Sequence, residues 1–126
     1  MQEKLTLGID VSKQTLDVYV KPCNVHFKLS NDAVGFKNLK REIKSLASEN
    51  ILIVMEHTGY YSLRLEKFLT LNGVSFCKIP ALEIKRSVGV IRGKNDRIDA
   101  RRIAEYGWLR RETLAADAVS DDDIGQ

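Results

Sequence analysis

Residues 5–29, LTLGIDVSKQTLDVYVKPCNVHFKL, decide the fold. Leu5 to Val11 is a short apolar run with a glycine inside, which reads as a buried strand. Ser12-Lys13-Gln14 is a polar turn. Thr15 to Val20 then alternates apolar and polar residues, the period of a strand with one face buried. Pro22 to Asn24 interrupts the pattern, because proline brings no ladder donor. Val25 to Leu29 alternates again, so three strands joined by short turns form an antiparallel meander.

Beyond the meander, Ser30-Asn31-Asp32 is a helix N-cap cluster. Val34, Phe36, Leu39, Ile43 and Leu46 follow at mostly helical spacing, and the helix is expected to end near residues 48–50. Ile51 to Met55 is continuously apolar, as a central strand buried on both faces should be. A helix is predicted over 60–71, a strand over 74–79, a helix from Pro80 to about Ser87, and a long helix over 96–111. Gly89 and Gly93 bracket a segment expected to be flexible. The order β-β-β-α-β-α-β-α-α predicts an α/β fold: a mixed sheet, meander first and alternating helix and strand after it, with helices on its faces. It matches the ribonuclease H-like architecture. Doubly wound nucleotide folds open β-α-β and are disfavoured.

At 126 residues the chain makes one domain, and its regular apolar runs argue against disorder. No apolar stretch approaches the roughly 20 residues that cross a bilayer. The N-terminus MQEKLTLGID lacks the pattern of a secretory signal, and Cys23 and Cys77 form neither a disulfide framework nor a metal cluster. A cytoplasmic protein is expected. Its net charge of +3 is unevenly spread. Residues 78–111 hold ten Lys/Arg against four Asp/Glu, whereas residues 112–126 hold five acids and no Lys/Arg. The division expected is a folded domain over 1–111 and an acidic tail or linker over 112–126.

Four acids stand out. Asp10 interrupts the apolar strand LGIDV, where a lone buried carboxylate would be costly. Glu56 follows the ILIVM strand at its C-terminal end, where sites on open α/β sheets collect. Asp96 and Asp99 lie three apart in KNDRIDARR, on one face of the last helix. Each has a plain alternative: a turn cap for Asp10, a solvated loop for Glu56, complements of the helix dipole for the other two. Together they suit hard divalent cations, which take oxygen ligands. Two such ions about 4 Å apart activate a nucleophile and stabilise a leaving oxygen in phosphodiester chemistry. Lys85, Arg86, Arg92, Lys94, Arg97, Arg101 and Arg102 surround them in sequence and suit a nucleic-acid backbone, as contacts that position without reading bases.

The segments GIDVSKQTLDVYV, VMEHTGYY and IRGKNDRIDARRIAEY resemble the N-terminal domain of the IS-one-ten/Piv family of transposases and DNA invertases, over residues 5 to about 111. These are called DEDD transposases after a tetrad in a RuvC-like domain. The resemblance carries that tetrad onto Asp10, Glu56, Asp96 and Asp99 without substitution, and Lys94 also matches. His57 departs from the small residue or proline common there. What the resemblance implies is Mg²⁺-dependent (or Mn²⁺-dependent) DNA cleavage and rejoining in transposition or inversion. It also implies a second, C-terminal domain with a nucleophilic serine and an associated guide RNA. Because the sequence stops at Gln126 without that domain, an incomplete enzyme is expected, homo-oligomeric when full length.

Three other functions compete, one of them a non-enzymatic nucleic-acid-binding module whose acids are only structural. A Holliday-junction resolvase-like nuclease acting alone fits the tetrad and the short chain. An actin-like sugar kinase or ATPase fragment fits LGIDVSK followed by a hairpin, but predicts a second Gly-rich phosphate loop that is absent. Of the remaining polar residues, His57 is read as a turn residue, with an acid/base or ligand role as the alternative. Ser12 is read as a turn residue, His26 as a surface residue and Asp17 as solvated. Tyr60 and Tyr61 are candidates for stacking on bases. Cys77 is read as a buried apolar filler.

Overall fold

The computed structural model describes residues 5–46, 51–57, 59–88 and 96–117; the side chains of 59, 85, 87, 88, 96–98 and 115–117 are excepted. Five strands form one sheet: β1 (Leu5–Val11), β2 (Thr15–Lys21), β3 (Val25–Ser30), β4 (Ile51–Glu56) and β5 (Phe76–Ile79). Their spatial order is β3-β2-β1-β4-β5. The β1–β2 and β2–β3 pairs are antiparallel, as a meander requires, and β4 and β5 join in parallel through helical crossovers.

Alternation along the strands sends side chains to two cores. On one face Leu7, Ile9, Val11, Leu16, Val18, Val20, Ile53 and Met55 pack against α1 (Ala33–Ser45) and α2 (Leu63–Leu71). These helices contribute Phe36 and Leu39, and Leu65 and Leu69. On the other face Leu52, Val54, Cys77 and Ile79 meet Ile84 of α3 (Ala81–Val88) and Ile103 and Tyr106 of α4 (Asp96–Leu109). Asp32 caps α1, its side chain accepting from the Gly35 N–H at 2.9 Å.

The element order is the predicted one, with four differences. Helix α1 ends at Ser45, with Leu46 as its C-cap, and not near residues 48–50. A 3-10 turn over Gly59–Ser62 precedes α2, so the α-helix proper starts at Leu63. The last strand is four residues long and begins at Phe76. The last helix breaks at Arg110 and resumes as α5 (Arg111–Asp117). Leu114 explains the resumption: it is buried in the second core, and its carbonyl accepts from Cys77 Sγ at 3.2 Å. Among the described residues no helix is long and apolar enough to cross a membrane.

Candidate metal centre and nucleic-acid face

Strand register places the first two acids. Leu5 to Ile9 of β1 run level with Ile51 to Met55 of β4, so the next step brings Asp10 level with Glu56, at the C-terminal ends of adjacent parallel strands. Asp10 shares a face with Thr6 and Gly8, and Glu56 with Leu52 and Val54, which is the face under α4. Both acids are half-buried.

Helix packing brings in the other two. A Cβ on Gly8 would meet the Ala104 nitrogen and lie 2.6 Å from the Ala100 carbonyl oxygen, so α4 rests directly on β1 at this glycine. Gly107 is seated against Val54 and Thr6. Along α4 towards its N-terminus, the contacts therefore move up β1 from Thr6 to Gly8. Asp10 lies about 7 Å further on. Four or five helical residues cover that distance at about 1.5 Å each, which reaches Asp96 to Asp99. The Asp99 side chain is half-buried; that of Asp96 lies outside the described ones. Among the described residues, no three His, Cys, Asp or Glu side chains are gathered closely enough to hold an ion. The carboxylates of Asp10, Glu56 and Asp99 offer oxygen donors alone, a chemistry that suits a hard divalent cation better than a soft one.

Asn31 holds the loops around this end. Its Nδ2 donates to the Ser12 carbonyl at 2.8 Å and to the Tyr61 carbonyl at 2.9 Å. The turn after Asp10 and the turn after Glu56 are thereby tied to one buried amide, itself anchored where Arg64 donates to the Asn31 carbonyl at 2.8 Å. The sequence shows Asn31 only as part of a cap cluster, since both of its acceptors are distant in the chain. Tyr60 and Tyr61 are both exposed on the tied turn. The His57 N–H donates to the Ile79 carbonyl at 2.9 Å, and its side chain is exposed.

Two residues differ from expectation. Asp17 is buried, not solvated, and its carboxylate lies 3.1 Å from His26 Nε2. His26 is accordingly mostly covered, not a surface residue. Period two puts Asp17 on the α4 side of the sheet, and a helix covering that face cannot be foreseen from the strand alone.

Of the expected nucleic-acid contacts, Arg86 on α3 and Arg101 on α4 are exposed, and Arg102 is half-buried. Lys85 and Arg97 lie on α3 and α4 with side chains outside the described set, and Arg92 and Lys94 lie outside the described residues altogether. All the described members belong to the helical layer over the acidic face. A cavity of about 910 Å³ runs along β5, and of the described acids Asp10, Glu56 and Asp99 none lines it. It is bordered by Tyr106, whose hydroxyl is pushed above its usual pKa by burial and by Glu83.

Comparison with known proteins agrees with this architecture. Two solved structures of RuvC share the fold. One, "T. thermophilus RuvC in complex with Holliday junction substrate", has a TM-score of 0.66 at 9% identity, over 88% of this chain and 96% of that one. The other, a Thermus thermophilus RuvC structure, has a TM-score of 0.64 at 11% identity, over 92% and 99%. The comparison with curated proteins found no match. The model of the IS110 (IS-one-ten) type of DEDD transposase, described as Transposase, matches residues 7–126. With nearly its whole length matched and a RuvC-like sheet beneath the motifs, the chain belongs to the IS110-type DEDD transposase family.

Proposed function

We propose that this chain is the metal-dependent catalytic domain of a DNA transposase, acting in strand cleavage and transfer. The observation that carries it is the parallel register of Ile9 with Met55, from which Asp10 and Glu56 are each the next residue, together with the seating of α4 on Gly8, which supports bringing Asp96 and Asp99 to the same end of the sheet. In this reading the four carboxylates hold Mg²⁺, or Mn²⁺ in its place. The bound cation supplies Lewis acidity and an activated water for phosphodiester chemistry. Asp10 and Glu56 fix the site from two strands that cannot shift without breaking the ladder. Asp96 and Asp99 approach from a helix seated on Gly8. Asn31 keeps both flanking turns in place. The basic residues of α3, α4 and the segment between them then hold DNA by its phosphates. A C-terminal domain and a guide RNA are partners that family membership suggests, and the full-length protein is read as a homo-oligomer.

The test is calorimetric titration of Mn²⁺ or Mg²⁺ into the chain and into Asp10→Ala/Asp99→Ala. Binding by the unaltered chain alone is expected; equal binding in both would sink the metal assignment. A second reading, a resolvase acting alone, draws on the match to nearly the full length of RuvC chains. Structure-selective cutting of branched DNA by this chain by itself would favour it.

A further inference from the structure

One step beyond the Ile9–Met55 pair, Asp10 and Glu56 come level, and the pairing can be followed across the other strands. Glu56 is opposite Ile79, Asp10 is opposite Asp17, and Asp17 is opposite Lys28. One transverse row therefore runs Ile79, Glu56, Asp10, Asp17, Lys28 from β5 to β3, on the face under α4, with about 4.8 Å between neighbours. It is apolar at the β5 end, acidic in the middle and cationic at the β3 end.

The cation is held where it is. Asp17 is 1% exposed. It faces another acid across the ladder, an arrangement that costs stability, and a buried carboxylate needs compensating partners. Strand β3 supplies them, with His26 Nε2 at 3.1 Å and Lys28 Nζ at 4.0 Å from the two oxygens. The Lys28 side chain is 54% exposed, so its ammonium stands at the solvent boundary, within 4.0 Å of the Asp17 carboxylate. Helix α4 rests on β1, β2 and β4. Its flank towards β2 is marked by the 2.6 Å ion pair of Glu105 with Lys21. Arg101, one turn nearer the acids on that flank, is exposed. Lys28 and Arg101 thus border a strip that starts at the acidic centre and ends at the open edge of β3.

We propose that Lys28 is a phosphate-binding residue, and that a DNA strand engaged at the acidic centre leaves it over β2 towards β3, between Lys28 and Arg101. This rests on the metal-centre reading above. Lys28 stands two strands from Asp10, about 10 Å, or about three nucleotides of duplex rise. Asp17 is a positioning residue that acts through Lys28. A phosphate contact carries no sequence information, so Lys28 sets where the strand lies and not which bases are chosen.

The experiment is binding of a labelled DNA duplex to the whole chain in Ca²⁺, from about 50 to 200 mM salt. Lys28→Ala is expected to weaken binding and to make the log–log salt dependence shallower by about 0.9, one phosphate's worth. Lys28→Arg should keep both near the unaltered values. Asp17→Asn should weaken binding in the presence of Lys28 and add nothing in the Lys28→Ala background. Unchanged affinity and slope in Lys28→Ala would overturn the proposal, and additive effects would overturn the role of Asp17. Mn²⁺ titration of Lys28→Ala keeps the two readings apart. Unaltered metal affinity with weakened DNA binding supports Lys28 as a phosphate contact, whereas loss of metal affinity overturns it. An unaltered chain that binds no Mn²⁺ yet shows the Lys28 slope change would count against the metal centre alone.

Discussion

Asp32 and Asp17 show how surroundings separate two acids of one chain. Asp32 is exposed, and its carboxyl is held below its usual pKa by the Gly35 N–H and then by the Ser30 hydroxyl, which donates to it at 2.7 Å. Both donors favour the ionised form. Its stabilising effect is therefore complete above the unfolded value of 3.8 and is lost as pH falls through the lower folded value. The melting temperature should fall as pH is lowered below 3.8 and through the depressed folded value. Asp32→Asn, which keeps the cap acceptor and loses the titration, should show a smaller drop; an identical acid limb would contradict the assignment. Asp32 was legible from its place before a helical pattern. Asp17 was not: alternation places it on a face, but only packing decides whether that face meets water, a helix or the imidazole of His26.

At the scale of elements, the site depends on how closely α4 lies on β1. Gly8 and Gly107 allow that approach, each with no room for a side chain. Gly8→Ala would push against the backbone of Ala100 and Ala104, which cannot rotate away as a side chain can. Overpacking of this kind costs about 1–3 kcal/mol. The variant should lose that much in urea unfolding at an unchanged m-value, and should also bind Mn²⁺ more weakly, because Asp96 and Asp99 ride on the displaced helix. Unchanged stability would mean that α4 is not seated on this strand. The strands and α1 could be placed from the sequence because their periodicity is strong. The break at Arg110 and the docking of α5 could not, since a seven-residue helix shows too little periodicity and its anchor, Leu114 against Cys77, is a contact between distant residues.

For the whole molecule, chain order alone carried the fold: a meander followed by crossovers admits few sheets, and the observed one has β1 at its centre. The four acids could be picked from the sequence, whereas the proposal that they share one end of the sheet draws on register and helix seating. Only the assembled molecule ties together residues as distant as Asp10 and Asp99. Iron-directed cleavage tests that tie. Fe²⁺ placed in the divalent site and exposed to peroxide releases hydroxyl radicals that cut the nearby backbone. Cuts are expected in three separate stretches, around Asp10, around Glu56 and over Asp96 to Asp99, all suppressed by excess Mg²⁺ and absent in Asp10→Ala. Cuts confined to one stretch, or to the acidic residues 121–123 beyond α5, would contradict a single centre built by the fold.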